Sequence, residues 1–163
     1  MSKMPAQRPS TSRQDYETPD DILLAVKNRL HIEHFAMDVA ASPTNAVTTE
    51  YYTEQTDGLA NPWAGEGWNW CNPPFGQLAL WVKKAKEEAE RGASTVMLVP
   101  ASVGSNWYAS WVEPYAFVSY LNPRLTFKGA TDPYPKDLML LFYTPWGFTG
   151  NEVWFWKARC TKT

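Results

Sequence analysis

The chain has 163 residues, 44% of them hydrophobic, with a formal net charge of −2 and a pI near 5.7. That length suits one domain with a real core and is short for two, and the charge excludes a protein that grips nucleic acid by bulk positive charge. No apolar run reaches membrane-spanning length and no basic-then-apolar leader opens the chain, so a soluble, intracellular protein is expected.

The two cysteines, Cys71 and Cys160, form neither a disulfide framework nor a metal-ligand pattern and read as free thiols. His31 and His34 have no cysteine or carboxylate arrangement around them that spells a zinc site; they read as solvated residues between a helix and a strand. No metal is expected.

Residues 1–14 hold Ser, Pro, Gln and basic residues with almost no large apolar side chain, so they cannot offset their own ordering entropy and read as a disordered tail ahead of a single domain over 15–163. In a complex, Arg8 and Arg13 would be phosphate contacts; a plain flexible tail is the simpler reading. Thr18-Pro19-Asp20-Asp21 predicts a helix start, with Thr18 as cap, Pro19 as first helical residue and two acids facing the dipole. The helix runs to Leu30, with Ile22, Leu23, Val26 and Leu30 on the packing face. Residues 35–42 predict a strand broken by Asp38 and followed by the small residues Ala40, Ala41 and Ser42. A buried carboxylate beside small residues suits a ligand that carries an ammonium group. Residues 43–67 are rich in turn formers, with Tyr51-Tyr52 as a brief strand and Asp57-Gly58 as a turn.

Trp68-Asn69-Trp70-Cys71 then predicts a buried strand that stops at Asn72-Pro73-Pro74-Phe75. Asn72 offers an amide oxygen, Pro73 offers a carbonyl on a residue with no backbone donor, and the proline ring holds both in place. Two fixed acceptors suit an amino group. Phe75 supplies a flat apolar face for stacking.

Leu78, Trp81, Val82, Ala85 and Ala89 recur at helical spacing, with Lys83–Glu87 and Glu87–Arg91 as i,i+4 pairs, a solvated charged stripe, and Gly92 as the stop. Residues 95–100 predict a buried strand, so the motif sits in a strand–helix–strand crossover with a parallel sheet, and Asp38 and Asn72 both lie at strand ends where such sheets hold ligands. A short helix capped by Ser105 reaches Val112. Strands at 116–121 and 138–143 flank a rigid loop around Asp132-Pro133-Tyr134-Pro135, and Val153 to Trp156 form an edge strand or a patch packed on the sheet.

Asn72-Pro73-Pro74-Phe75 resembles the Asp/Asn/Ser-Pro-Pro-Tyr/Phe signature of amino methyltransferases, and the whole chain is similar to the small phage-type DNA N-6-adenine methyltransferases. The resemblance implies a reduced Rossmann-like methyltransferase fold of the α/β class, with a mostly parallel sheet and a late antiparallel hairpin. It implies S-adenosylmethionine as cofactor and DNA as partner, a cytoplasmic location in a bacterial host, and a monomer or weak homodimer. Asn72 and Pro73 would hold the amino group of a flipped adenine, with Pro74 shaping the turn and Phe75 stacking on the base. Asp38 would sit near the amino group of the methionine moiety, beside Ala40 and Ser42, which replace the usual glycines. Tyr16 and Thr18-Pro19 resemble a segment at the cofactor's methionine end, a reading that stands beside the helix cap. Asp57 and Leu59 would meet the adenosine part, a reading that stands beside the simple turn. Arg124, Lys128 and Lys136 are the DNA-contact candidates.

The implied reaction is direct methyl transfer to the 6-amino nitrogen, with short or relaxed sequence specificity. Cys71 is expected to be buried, which argues against a cysteine nucleophile and carbon-5 methylation. The rivals are methylation of RNA adenine or a protein amide, and a silent nucleic-acid-binding module on the same fold.

Overall fold

The computed structural model describes residues 16–157. The expected tail over residues 1–14 with Arg8 and Arg13, and the expected thiol of Cys160, lie outside the described residues.

Among the described residues six strands form one sheet in the order β1-β2-β3-β5-β4-β6. They are β1 (Met37–Asp38), β2 (Trp68–Cys71), β3 (Ser94–Pro100), β4 (Ala116–Asn122), β5 (Leu138–Tyr143) and β6 (Gly150–Phe155). β1, β2 and β3 are parallel neighbours, β6 runs parallel to β4 at the far edge, and β5 is antiparallel to both β3 and β4. The arrangement is mixed α/β and consistent with a Rossmann-like sheet, and the late antiparallel pair is β4 with β5.

Strand alternation sorts the core into two faces. Val96 and Leu98 of β3 join Leu138, Leu140 and Phe142 of β5 against helix α1 (Asp20–Leu30), which contributes Ile22, Leu23 and Val26. Met97 and Val99 join Met139, Leu141 and Tyr143 on the opposite face against helix α2 (Leu78–Glu90), which contributes Leu78, Trp81, Val82, Ala85 and Ala89. Helix α3 (Asn106–Trp111) is capped by Ser105, whose hydroxyl accepts the Tyr108 N–H. Among the described residues no helix is long and apolar enough to cross a membrane.

Four expectations need correction. Thr18 does not cap α1: Pro19 precedes the helix in an extended conformation, and the Thr18 side chain is engaged elsewhere. The strand expected over residues 35–42 shrinks to Met37–Asp38, because the Asp38 carboxylate turns in to accept the N–H groups of Ala40 and Val47 and the chain bends away from the sheet. Arg91 pairs with Glu88 at 2.8 Å, while the Lys83–Glu87 pair forms at 3.8 Å. The stripe on α2 is not wholly solvated either, since Glu88 is 2% exposed and bonds Lys84 at 2.7 Å and the Trp63 N–H at 3.2 Å. Burial pushes the Glu88 carboxyl up, but these partners and Arg91 outweigh it and hold the carboxyl below its ordinary value.

Candidate active site

The parallel register brings Asp38 and Asn72 together. Asp38 ends β1 opposite Trp70, and Asn72 is the first residue past β2. The Val39 N–H donates to the Trp70 carbonyl at 3.0 Å, so the two strand ends stay in step where the chain leaves the sheet. A small open cleft lies there, lined by Tyr16, Thr18, Asp38, Ala40 and Asn72. Glu17, Asn45, Val47 and Trp70 complete its wall.

Asp38 is 3% exposed and accepts from the N–H groups of Val47 at 3.1 Å and Ala40 at 3.3 Å. Burial lifts its carboxyl from the ordinary 3.8 to about 6, against the lowering effect of the Val47 and Ala40 bonds. Among the described residues no lysine or arginine pairs with it. A buried carboxylate without a cation fits a ligand that brings one.

Asn72 is half-buried, and its side-chain nitrogen donates to the Tyr16 carbonyl at 2.7 Å and to the Thr18 hydroxyl at 3.1 Å. A carbonyl only accepts, so the nitrogen end of the amide must face Tyr16 and the oxygen end must face away. Phe75 lies in a short turn ahead of α2, tilted against Tyr16 at 5.7 Å and edge-on to Tyr134 at 5.9 Å. Tyr16 also meets Phe127 at 5.0 Å and Tyr134 at 5.6 Å, so four rings cluster beside the Asn72 turn.

The other candidates are spread out. Pro73 is buried and Pro74 half-buried in the turn itself, whose Pro74 carbonyl accepts the Gln77 N–H. Pro19 sits at the head of α1, outside the cleft lining. Ser42 donates its N–H to Asn45 Oδ1 at 2.6 Å and so shapes the turn that carries Asn45 into the wall. Asp57 is exposed, with φ 60°, and its carboxylate accepts the Leu59 N–H at 3.0 Å, while Leu59 packs half-buried on the α2 face of the core; neither lines the cleft. Next to them Gly58 touches the Val39 carbonyl so closely that a Cβ would stand 2.0 Å from that oxygen.

Arg124 bonds Asp137 at 2.9 Å, and Lys128 meets Asp20 at 3.0 Å and Glu17 at 3.6 Å, so both already have carboxylate partners. Lys136 is exposed and has no ion partner among the described residues. Cys71 is fully buried, and burial, followed by the nearby Asp38 charge, pushes its thiol well above the ordinary range, which suits packing rather than nucleophilic attack.

Asn45, Val47, Phe127 and Tyr134 were not among the sequence candidates. Asn45 carried a weak signal as the polar end of Ser-Pro-Thr-Asn; the rings carried none, because Phe127 and Tyr134 reach Tyr16 only through the return of a distant loop.

The sequence model of a family described as DNA N-6-adenine-methyltransferase (Dam) matches residues 6–149. The chain is also 28% identical over 145 residues to a DNA N-6-adenine-methyltransferase of Escherichia phage T1, an alignment covering 89% of this chain and 59% of that relative. This chain therefore spans about three fifths of the relative's length. With a strand ending in Asn72-Pro73-Pro74-Phe75 beside a buried carboxylate, and a family match across most of its length, the chain belongs to the DNA N-6-adenine-methyltransferase (Dam) family.

Proposed function

We propose that the protein transfers a methyl group from S-adenosylmethionine to the 6-amino group of adenine in DNA, acting on a base flipped out of the duplex. The observation that carries this reading is the pairing, in one cleft, of an Asn72 amide whose nitrogen is held by Tyr16 and Thr18, with its oxygen turned away from them, and a buried carboxylate that lacks a cation among the described residues.

When bound, S-adenosylmethionine supplies a methyl already activated by its positive sulfur, so the protein's task is alignment and exclusion of water. Asp38 receives the ammonium end, with Ala40 close by. The oxygen of Asn72 and the carbonyl of Pro73 accept the two amino hydrogens of adenine, which favours a nitrogen lone pair drawn out of conjugation with the ring. Phe75 offers its face to the base. Unstacking and unpairing that base costs roughly a few kcal/mol, which a small domain offsets with few contacts, so the site read in DNA is short or relaxed. Lys136 meets phosphate directly, whereas Arg124 and Lys128 must exchange a carboxylate for it.

Incubation with labelled S-adenosylmethionine and unmethylated DNA, followed by nucleoside analysis, tests the reading. Label in 6-methyladenine supports it. Cofactor binding with label only in RNA or protein would redirect it to those acceptors, and neither binding nor transfer would make the protein a silent nucleic-acid-binding module. Asn72→Ala should reduce transfer at least about 100-fold while leaving cofactor affinity largely intact. Asp38→Ala should lose cofactor affinity first, and calorimetry on the two variants separates the roles.

A further inference from the structure

We infer that the segment Tyr16–Thr18 is the positioning device for Asn72, with the Thr18 hydroxyl and the Tyr16 carbonyl together holding the amide nitrogen so that the oxygen is turned toward the substrate. The inference rests on the methyl-transfer reading of the cleft and gives Thr18 a role distinct from both a helix cap and a cofactor contact.

The segment is held from several sides. The Tyr16 ring is wedged among Phe75, Phe127 and Tyr134 at 5.0–5.7 Å, which fixes the residue whose carbonyl accepts at 2.7 Å. The Glu17 carbonyl accepts the Lys128 N–H at 3.1 Å, and the Lys128 ammonium bridges Glu17 and Asp20. Thr18 is 5% exposed, so its hydroxyl meets Asn72 with little competition from water. An amide free to rotate would present oxygen and nitrogen alternately to the substrate amine. Here the wrong orientation would set two carbonyl oxygens against each other.

The same geometry explains why this chain carries Asn where the signature also admits Asp. A carboxylate at position 72 would direct an oxygen at the Tyr16 carbonyl, and neither could donate.

Side-chain amide NMR of the 15N-labelled protein, with kinetics on the same samples, tests the inference. The Asn72 NH2 signals are assigned by their loss in Asn72→Ala. They should be protected from exchange in the unaltered protein and should shift in Thr18→Val but little in Thr18→Ser. At saturating substrates Thr18→Val should lower kcat about fivefold to tenfold with cofactor affinity nearly unchanged, and Thr18→Ser should restore most of it. Asn72→Asp should fall further and recover in part as pH drops and its new acid becomes a donor. Unprotected Asn72 signals, no shift in Thr18→Val, or loss of cofactor affinity with kcat intact would each overturn the inference. Shifted signals in a protein that transfers no methyl would break the functional reading and still support the Asn72 geometry.

Discussion

β3 and β5 lie side by side with every residue buried, joined by an unbroken antiparallel ladder from Thr95–Tyr143 to Pro100–Leu138. The chain between Asp38 and Trp68 is held differently. Its strand-like pairing is the bridge from Asp38 to Tyr51 with the few backbone bonds around it, and many of its turns are closed by side chains: Asn45 on Ser42, Thr48 on the Phe35 carbonyl, Asn61 on the Thr56 and Asp57 carbonyls, Trp63 on the Gly58 carbonyl. The ladder region draws on area removed from water, whereas the turn region keeps the cleft's carboxylate in place with individual polar contacts that water can contest.

The largest expected effect lies in the ladder region. Leu140→Ala should lower stability by about 2–5 kcal/mol in urea unfolding, with cofactor affinity of the remaining folded protein unchanged. A comparable loss of affinity would mean the two regions are not separable.

Gly58→Ala attacks the turn region from behind. Its Cβ would meet the backbone oxygen of Val39, the residue next to Asp38, and backbone cannot swing aside as a flexible side chain could. A loss of about 3 kcal/mol is expected, with cofactor affinity falling although Gly58 does not line the cleft. Calorimetry and urea unfolding on one preparation measure both.

The two buried carboxylates have opposite pH signatures. The Asp38 carboxyl is raised to about 6 in the fold, so it favours folding below about pH 4 and loses that contribution as pH rises through 6. The Glu88 carboxyl is lowered, so its contribution is present above its unfolded value and is lost as pH falls. Under the proposed reading, a cationic ligand would bind the ionised form of Asp38. Cofactor affinity should therefore rise about tenfold per pH unit below 6 and level off above it, and Asp38→Asn should flatten the profile.

Lys83→Ala should change stability by less than about 0.5 kcal/mol, because its pair with Glu87 is long and exposed. A larger change would show that the cation of Lys83 beside the Trp111 ring at 5.6 Å contributes more than its exposure suggests.

The features legible in the sequence are those that local pattern controls. The burial stripe of α2, the continuous apolar runs of β3 and β5, the Ser105 cap and the stop of β2 at Asn72 follow from periodicity, propensity and proline chemistry within a few residues. Asp38 was legible as a buried acid near a strand end for the same reason. The folded arrangement set the rest. It inserted β5 between β3 and β4, buried Glu88 under Trp63, left Asp57 outside the cleft, and turned Thr18 from the head of its helix to Asn72, 54 residues away. Thr18 and Glu88 each had a satisfactory local explanation, as cap and as solvated charge. A hydrogen bond forms with whichever partner the folded backbone brings within 3 Å or so, and sequence neighbours lose that competition when the sheet delivers a better one.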